Sequence, residues 1–347
     1  MSRSYLDHNA TTPLRAEVRE AMLAAMDIVG NPSSVHTEGR AAKALMEKAR
    51  GQIAEALGAA NADIVFTSGS TEAAALALSG RGLHCAGVEH DAVTSWCAVD
   101  IAVDENGIAT VDAPEHTALQ LANSETGVLQ TLPQGLAVSD LTQGFGKVPF
   151  AFEWSGVGMG FVSAHKFGGP RGIGALVFPQ GTDVAAQLKG GGQERGWRAG
   201  TENLVGIAGF AAAAVAAQQD LTNGVWERVA ELRNILEKAI ENPAPETIFV
   251  GKGAARLPNT SCMSTRGWKG ETQVMVMDLA GFAISAGSAC SSGKVKSSRV
   301  LRAMGFDEEA AGCAIRVSLG RDTTQDEVLR FAEAWSDRYR KMRARAA

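Results

Sequence analysis

The feature that most constrains the fold is an alternation of short, β-branched apolar runs with Ala-rich segments. The run ADIVFTSG (62–69) precedes STEAAALALSG (70–80), and GIGALVF (172–178) precedes a long helical pattern that starts near Asn203. Such alternation is typical of α/β proteins, in which helices connect the strands of a mostly parallel sheet. We therefore predict an α/β domain over residues 15–222.

The sequence pattern changes after about residue 222. A charged amphipathic segment, WERVAELRNILEKAI, is followed by the turn NPAPE, strand-like runs near TIFV and NTSCMS, and a closing helix. Thr324 and Glu327 have the T-x-x-E spacing of a capping box at the start of that helix. We predict that residues 1–14 and 223–347 form a second, smaller α+β domain, since 347 residues suffice for two cores.

Composition restricts the classes of partner. The net charge of -5 comes from interspersed signs, so we expect no nucleic-acid partner. The longest apolar run, VGIAGFAAAAVAA (205–217), is shorter than the roughly 20 residues of a membrane span, and we predict a buried helix there. Because the N-terminal residues lack the apolar region of a secretory signal, we expect a cytoplasmic protein without a membrane partner.

The cysteines indicate neither a disulfide framework nor a metal site. They stand at positions 85, 97, 262, 290 and 313, an odd number without the spacing of metal ligands. Cys290 differs from the others because it lies among Gly and Ser, with Lys294, Lys296 and Arg299 close in sequence. Such surroundings favour an exposed thiolate, so Cys290 is the candidate reactive cysteine.

Four short motifs supply groups that pyridoxal phosphate requires. Ser70 and Thr71 follow a strand and open a helix, a geometry that binds phosphate, although the same residues could merely cap the helix. An aromatic group that stacks on the ring, a carboxylate for its nitrogen and a Schiff-base amine complete the requirement. The candidates for these are His90, Asp140 with Gln143, and Lys166 in SAHK.

Eight ordered motifs resemble those of the cysteine desulfurases, the NifS/IscS-like group of class V pyridoxal-phosphate-dependent aminotransferases. These motifs are YLDHNATTP (5–13), GNPSSVH (30–36), FTSGSTEA (66–73), EHDAV (89–93), SAHKFGGPRGIG (163–174), GGGQERGWRAGT (190–201), AISAGSACSSG (283–293) and IRVSLGR (315–321). The resemblance implies a fold-type I transferase, with a mostly parallel, seven-stranded-type sheet in the large domain and a smaller α+β domain at the C-terminal end.

The resemblance also implies how pyridoxal 5'-phosphate is held. Lys166 would form the Schiff base and move the substrate's α-proton, Asp140 would keep the ring nitrogen protonated, and His90 would stack on the ring. Gln143 would bond the ring hydroxyl. The implied phosphate ligands are Ser70, Thr71, Ser163, His165 and, from a second protomer, Thr201. A homodimer with shared active sites follows from that last residue.

The implied substrate is L-cysteine, bound through Arg316 and Asn9, although Arg316 could instead form a salt bridge with a neighbouring Asp. Cys290 would take the substrate sulfur as a persulfide, leave alanine, and pass the sulfur to an acceptor protein for iron–sulfur cluster assembly or other sulfur trafficking. We expect no resident metal, with Cys290 at most a transient cluster ligand. Alternatives are a selenocysteine lyase, a class V aminotransferase, and a catalytically weak scaffold homologue.

The chain departs from the family in two places. The motif N-N-E-x-G reads NSETG here, so Ser124 stands where an asparagine usually touches cofactor or substrate. Only VLQTLPQGLAVS separates that motif from Asp140, and Pro133 with Gly135 disfavours a full crossover helix within it. We therefore predict that the large domain is contracted, lacks one or two helices, and leaves one face of its sheet thinly covered.

Overall fold

The computed structural model describes residues 3–287 and 297–346 of the chain. Their strands are β1 (Ser4–Tyr5), β2 (Ala62–Thr67), β3 (His84–Ala86), β4 (Ala98–Ile101), β5 (Thr117–Gln120), β6 (Val138–Asp140), β7 (Met159–Ser163), β8 (Gly174–Pro179), β9 (Ile248–Phe249), β10 (Thr260–Ser264), β11 (Phe282–Ala283), β12 (Ser285–Ala286) and β13 (Ala314–Ser318). Their helices are α1 (Ala16–Met26), α2 (Thr37–Ala56), α3 (Ser70–Leu78), α4 (Asp91–Thr94), α5 (Phe152–Ser155), α6 (Leu204–Thr222), α7 (Val225–Glu241), α8 (Gly270–Leu279), α9 (Arg299–Ala303), α10 (Glu308–Gly312) and α11 (Gln325–Ala346).

The central element is a seven-stranded sheet with the strand order β2-β8-β7-β6-β5-β3-β4. Strand β8 runs antiparallel to both of its neighbours, and the remaining pairs are parallel. The predicted α/β class and mostly parallel sheet are thereby confirmed.

Helices cover the two faces of this sheet unequally. On one face α6 packs against α1 and α2, and its Phe210 is fully buried beside Phe66 of β2. Although α6 is long and apolar enough to cross a membrane, 56% of its most apolar stretch is buried inside the fold. It is the buried helix that the sequence predicts. The other face is covered chiefly by α3, whose Ala73 and Ala77 are inaccessible.

The C-terminal part of the chain builds a separate four-stranded antiparallel sheet, in the order β12-β13-β10-β9. Helices α7, α8 and α11 pack around it, and Leu6 from the N-terminal segment joins their core. The capping box of α11 forms as predicted, because the Thr324 N–H donates to Glu327 and the Glu327 N–H donates to the Thr324 hydroxyl. The division at residues 14/15 and 222/223 stays a prediction.

The connections around β4, β5 and β6 are contracted, as predicted. Residues 121–137, all of them described, contain no helix between β5 and β6, and the β4–β5 connection has only the 3₁₀ turn Pro114–His116. The edge strand β4 is correspondingly bare, with Val99 52% exposed. The shortening therefore affects the crossovers and one edge of the sheet.

Candidate active site

A cavity of 710 Å³ lies where the carboxyl ends of β5, β6 and β7 meet the four-stranded sheet. Ligands of open α/β sheets bind at this edge, because the strand ends bring loop residues together there. The cavity brings together nearly all of the predicted site residues: Asn9, Ser70, Thr71, His90, Ser124, Asp140, Gln143, Ser163, His165, Lys166 and Arg316.

Lys166 occupies the last position of a 3₁₀ turn, Ala164–Lys166, that directly follows β7. Strand β7 itself stops three residues earlier, at Ser163. The turn directs the amine toward the N-terminal segment, where Nζ donates to the carbonyl oxygens of Asn9 at 2.7 Å and Ala10 at 3.0 Å. The lysine is held by backbone acceptors beside an open cavity.

Asp140 is the last residue of β6, and one of its carboxylate oxygens accepts the Thr142 N–H at 2.8 Å. Burial raises the pKa of Asp140, while the Thr142 hydrogen bond and the nearby His90 and Lys166 act in the opposite direction. A cationic partner in the cavity would therefore favour the ionised carboxylate. This is the environment that a protonated ring nitrogen needs.

His90 precedes α4 and caps it. The Ala92 N–H donates to His90 Nδ1 at 3.0 Å, so a neutral imidazole carries its hydrogen on Nε2. The capping bond fixes the ring orientation at the cavity wall. That constraint suits an aromatic group required to lie against a planar ligand.

The N-terminus of α3 forms one end of the cavity. Gly69, which precedes the helix, has no side chain to cap it, so the first-turn N–H groups remain available to an anion. The hydroxyls of Ser70 and Thr142 lie 2.6 Å apart beside these groups. Gly174 of β8 lets the turn approach closely, since a Cβ there would lie 2.7 Å from Gly69 Cα.

His165 completes this anion-binding set. Its Nδ1 lies 3.1 Å from the Thr11 hydroxyl, and burial, with a smaller contribution from Lys166, lowers the pKa of His165 to about 4. The ring is therefore neutral at physiological pH and acts as a hydrogen-bond donor rather than as a counter-charge. Amides, hydroxyls and one imidazole together suit a phosphate ester.

Arg316 of β13 faces the cavity from the opposite side. Its guanidinium forms a salt bridge with Asp7 at 2.7 Å and donates to the Ser124 carbonyl oxygen at 3.0 Å. The alternative that Arg316 pairs with an aspartate is therefore observed. A guanidinium has five N–H donors, so these two contacts leave donor capacity for a carboxylate in the cavity.

Asn9 and Ser124 contribute differently from what the family pattern suggests. The Asn9 side-chain amide forms hydrogen bonds with Asn259 and Thr260, so it is not free for a substrate. Its backbone carbonyl oxygen accepts hydrogen bonds from Lys166 and Gln143, and we therefore assign Asn9 to positioning these two side chains. Ser124 takes part through its backbone oxygen, which accepts from Arg316 and Asn9. Because this acceptor is a backbone atom, it is kept even though Ser124 replaces the asparagine of the family motif.

One predicted residue lies outside this cavity, and another lies outside the residues that the structure describes. Thr201 lines a separate cavity of 140 Å³ next to Thr67 and Gly172. Cys290 lies outside the described residues, between Gly287 and Ser298. Glu125 lies next to Gly287 and accepts a hydrogen bond of 2.5 Å from the Ser298 hydroxyl, and burial raises the pKa of Glu125 to about 7.

Sequence reasoning missed several polar residues of the cavity wall: Thr11, Glu72, Gln120, Thr142 and Arg171. Most of them lie inside or next to the motifs already singled out. Thr142, for example, stands two residues after Asp140, so its reach into the site could have been inferred from the strand end.

Comparison with known proteins agrees with this geometry. The sequence profile "Aminotransferase class-V" matches residues 4–97 and 100–331. A "Cysteine desulfurase" of Cereibacter sphaeroides is 38% identical over 371 aligned positions, covering 96% of this chain and 95% of the relative. "Cysteine desulfurase IscS" of Dictyoglomus turgidum is 35% identical, with 93% and 91% covered.

Solved structures give the same result. A "NifS-like protein from Rickettsia africae ESF-5" superposes with a TM-score of 0.88 at 31% identity, covering 97% of this chain and 99% of that one. The structure "SspA in complex with cysteine" has a TM-score of 0.75 at 26% identity, with 92% and 99% covered.

The chain belongs to the aminotransferase class V family. Within it, the relatives just named carry the name cysteine desulfurase, which confirms the predicted resemblance and reaction class. The first alignment is longer than the 347 residues of this chain, so the chain lacks some residues that this relative has.

Proposed function

We propose that this protein binds pyridoxal 5'-phosphate and transfers the sulfur of L-cysteine to Cys290, releasing L-alanine. The observation that carries the proposal is the convergence of Lys166, Asp140 and Arg316 on one cavity beneath the anion-binding end of α3. Each residue has the partner its role requires. An amine, a buried carboxylate and a guanidinium with an unused donor are the groups this chemistry needs.

Pyridoxal phosphate, when bound, supplies the electron-withdrawing ring that lets an amino acid lose its α-proton. The α3 N-terminus, Ser163 and His165 would hold its phosphate, Asp140 its ring nitrogen, Gln143 its hydroxyl, and His90 would stack on the ring. Lys166 would bond the aldehyde carbon and then carry the proton. Its two backbone acceptors hold Nζ at the cavity wall before and after that transfer.

Arg316 would bind the carboxylate of L-cysteine. The Asp7 carboxylate and the Ser124 carbonyl oxygen orient the guanidinium, and the remaining hydrogens of its two terminal nitrogens would bind the substrate carboxylate. This arrangement costs little reorganisation on binding, because the side chain is already buried and held on two sides.

Cys290 would then attack the sulfur of the bound substrate. An S–S bond forms, the substrate C–S bond breaks, and proton uptake at carbon gives L-alanine, so one cysteine and one thiol yield one alanine and one persulfide. The persulfide would pass to an acceptor protein, such as a scaffold for iron–sulfur cluster assembly or another sulfur carrier.

We further propose a homodimer in the cytoplasm. Thr201 lies outside the cavity of its own chain, which fits a contact with the cofactor phosphate bound by a second protomer. The apolar side chains of Val29 and Val35 are 90% and 87% exposed, which fits a surface that a second protomer covers. The four described cysteines, at positions 85, 97, 262 and 313, are all free, as is usual in a reducing compartment.

The test is turnover of L-cysteine by the purified protein in the presence of a dithiol, with alanine and sulfide both measured. We expect equal amounts of the two products from wild type and from Cys97→Ser, a control at a half-buried cysteine, and neither product from Cys290→Ala. Undiminished sulfide release by Cys290→Ala would favour the selenocysteine lyase or another class V reaction. A protein that binds no cofactor and is inert would favour the scaffold homologue.

A further inference from the structure

Lys147 is a buried lysine behind the cavity wall. It is 3% exposed, does not line the cavity, and donates from Nζ to Gln143 Oε1 at 3.0 Å. Within residues 3–287 and 297–346, no carboxylate lies within salt-bridge distance of the Lys147 amine. The Gln143 amide oxygen is the one hydrogen-bond partner of Nζ among these residues.

The charges near Lys147 have the same sign as its own. Burial, followed by Lys166 and Arg316, lowers the pKa of Lys147 to about 7. A buried ammonium without a counter-ion destabilises a fold. The residue therefore needs an explanation other than stability.

Its backbone is fixed as firmly as its side chain. The Trp226 indole of α7 donates to the carbonyl oxygen of Gly146 at 2.5 Å, and the Lys147 N–H donates to Gly144. The turn that follows β6 is thus clamped from the C-terminal core, and Nζ is directed at Gln143.

The effect on Gln143 follows from hydrogen-bond chemistry. An amide can present either its oxygen or its nitrogen, whereas an ammonium only donates, so protonated Lys147 selects the amide oxygen that faces it in the structure. Gln143 Nε2 then points the other way, donates one hydrogen to the Asn9 carbonyl oxygen at 2.9 Å, and keeps its second hydrogen for the cavity.

We propose that Lys147 is a positioning residue that locks the Gln143 amide with its N–H group toward the cavity, where it donates to the ring-hydroxyl oxygen of the cofactor. The Asn9 carbonyl oxygen, which also accepts from Lys166, aligns the locked amide with the reactive amine. The proposal rests on the proposed function, because it needs pyridoxal phosphate in the cavity.

The test is a double-mutant cycle on cofactor binding by the full-length protein freed of cofactor. Lys147→Met, Gln143→Ala and the double variant are titrated with pyridoxal phosphate and followed by visible absorbance, with exposed Lys189→Met as the matched control. We expect each single variant to bind about tenfold more weakly than wild type. We expect the double variant to bind like Gln143→Ala, because Lys147 acts only through that amide.

A second measurement separates positioning from folding. Thermal unfolding of the cofactor-free Lys147→Met variant should occur at or above the wild-type temperature, since the substitution removes a buried charge. Additive losses in the cycle, or a cofactor-affinity loss accompanied by lower stability of the cofactor-free variant, would overturn this inference alone. A wild-type protein that fails to bind pyridoxal phosphate would overturn the proposed function and this inference with it.

Discussion

The wall of the cavity and the layer directly behind it are built on different principles. Wall residues such as Lys166, Asp140 and Arg316 line the open space, where a ligand would contact them directly. Lys147 and Asp7 do not line the cavity, yet each bonds a residue that does. We therefore expect the wall residues to supply the chemistry and the residues behind them to fix the orientation of the wall. Substitutions in the two sets should then have different effects.

The largest expected difference is at Lys166. Lys166→Ala removes the amine that we propose moves the α-proton, so we expect alanine formation to fall by at least about 10⁴-fold. Lys189→Ala, at an exposed lysine, is the matched control and should retain the wild-type rate. Residual turnover within tenfold of wild type would assign the proton transfer to another group.

A smaller difference should separate Arg316 from Asp7. Arg316→Lys loses the planar fork and should raise KM for L-cysteine by roughly 10- to 100-fold. Asp7→Asn keeps the shape but weakens the orientation of Arg316, so we expect an increase of about threefold. Steady-state kinetics check the order, and an Asp7→Asn effect as large as that of Arg316→Lys would mean that Asp7 itself contacts substrate.

A separate prediction concerns stability rather than turnover, and it distinguishes the layer from the wall by its pH dependence. The pKa of Lys147 is lowered from 10.5 to about 7, so between these values the unfolded chain binds more protons than the folded one. The free energy of unfolding should therefore rise with pH across this window, by up to about 1.4 kcal/mol per pH unit.

Lys147→Met should abolish that rise and be more stable than wild type at pH 7, with the difference shrinking toward pH 10. His8, Lys166 and Arg316 are the charged or titratable neighbours of Lys147, and they are unchanged in the variant. Urea unfolding of the cofactor-free protein at several pH values is the measurement. Parallel pH profiles for the two proteins would contradict a buried, charge-destabilised Lys147.

The sequence could predict the wall better than the layer behind it, for physical reasons. Alternating apolar runs define the parallel sheet, and residues that end its strands, such as Asp140, must meet at one edge. Lys147 follows Asp140 by seven residues in an irregular turn, and nothing local indicates that it is buried or that its amine reaches Gln143.

The contraction was predictable in part. Pro133 and Gly135 argued against a helix between β5 and β6, and residues 121–137 contain none. What replaces the helix could not be read from the sequence, because it depends on distant segments. The Leu129 N–H donates to Ala255, and Val128 bridges to Arg256, so a loop of the C-terminal part covers this connection.

The most direct test of the central claim is to locate the transferred sulfur. The wild-type protein loaded with pyridoxal phosphate is given one equivalent of L-cysteine without reductant, alkylated at once, and digested for mass spectrometry. We expect one added sulfur atom on the peptide that contains Cys290, together with one equivalent of L-alanine. Alanine with the extra sulfur on another cysteine, or with all sulfur released as free sulfide, would contradict it.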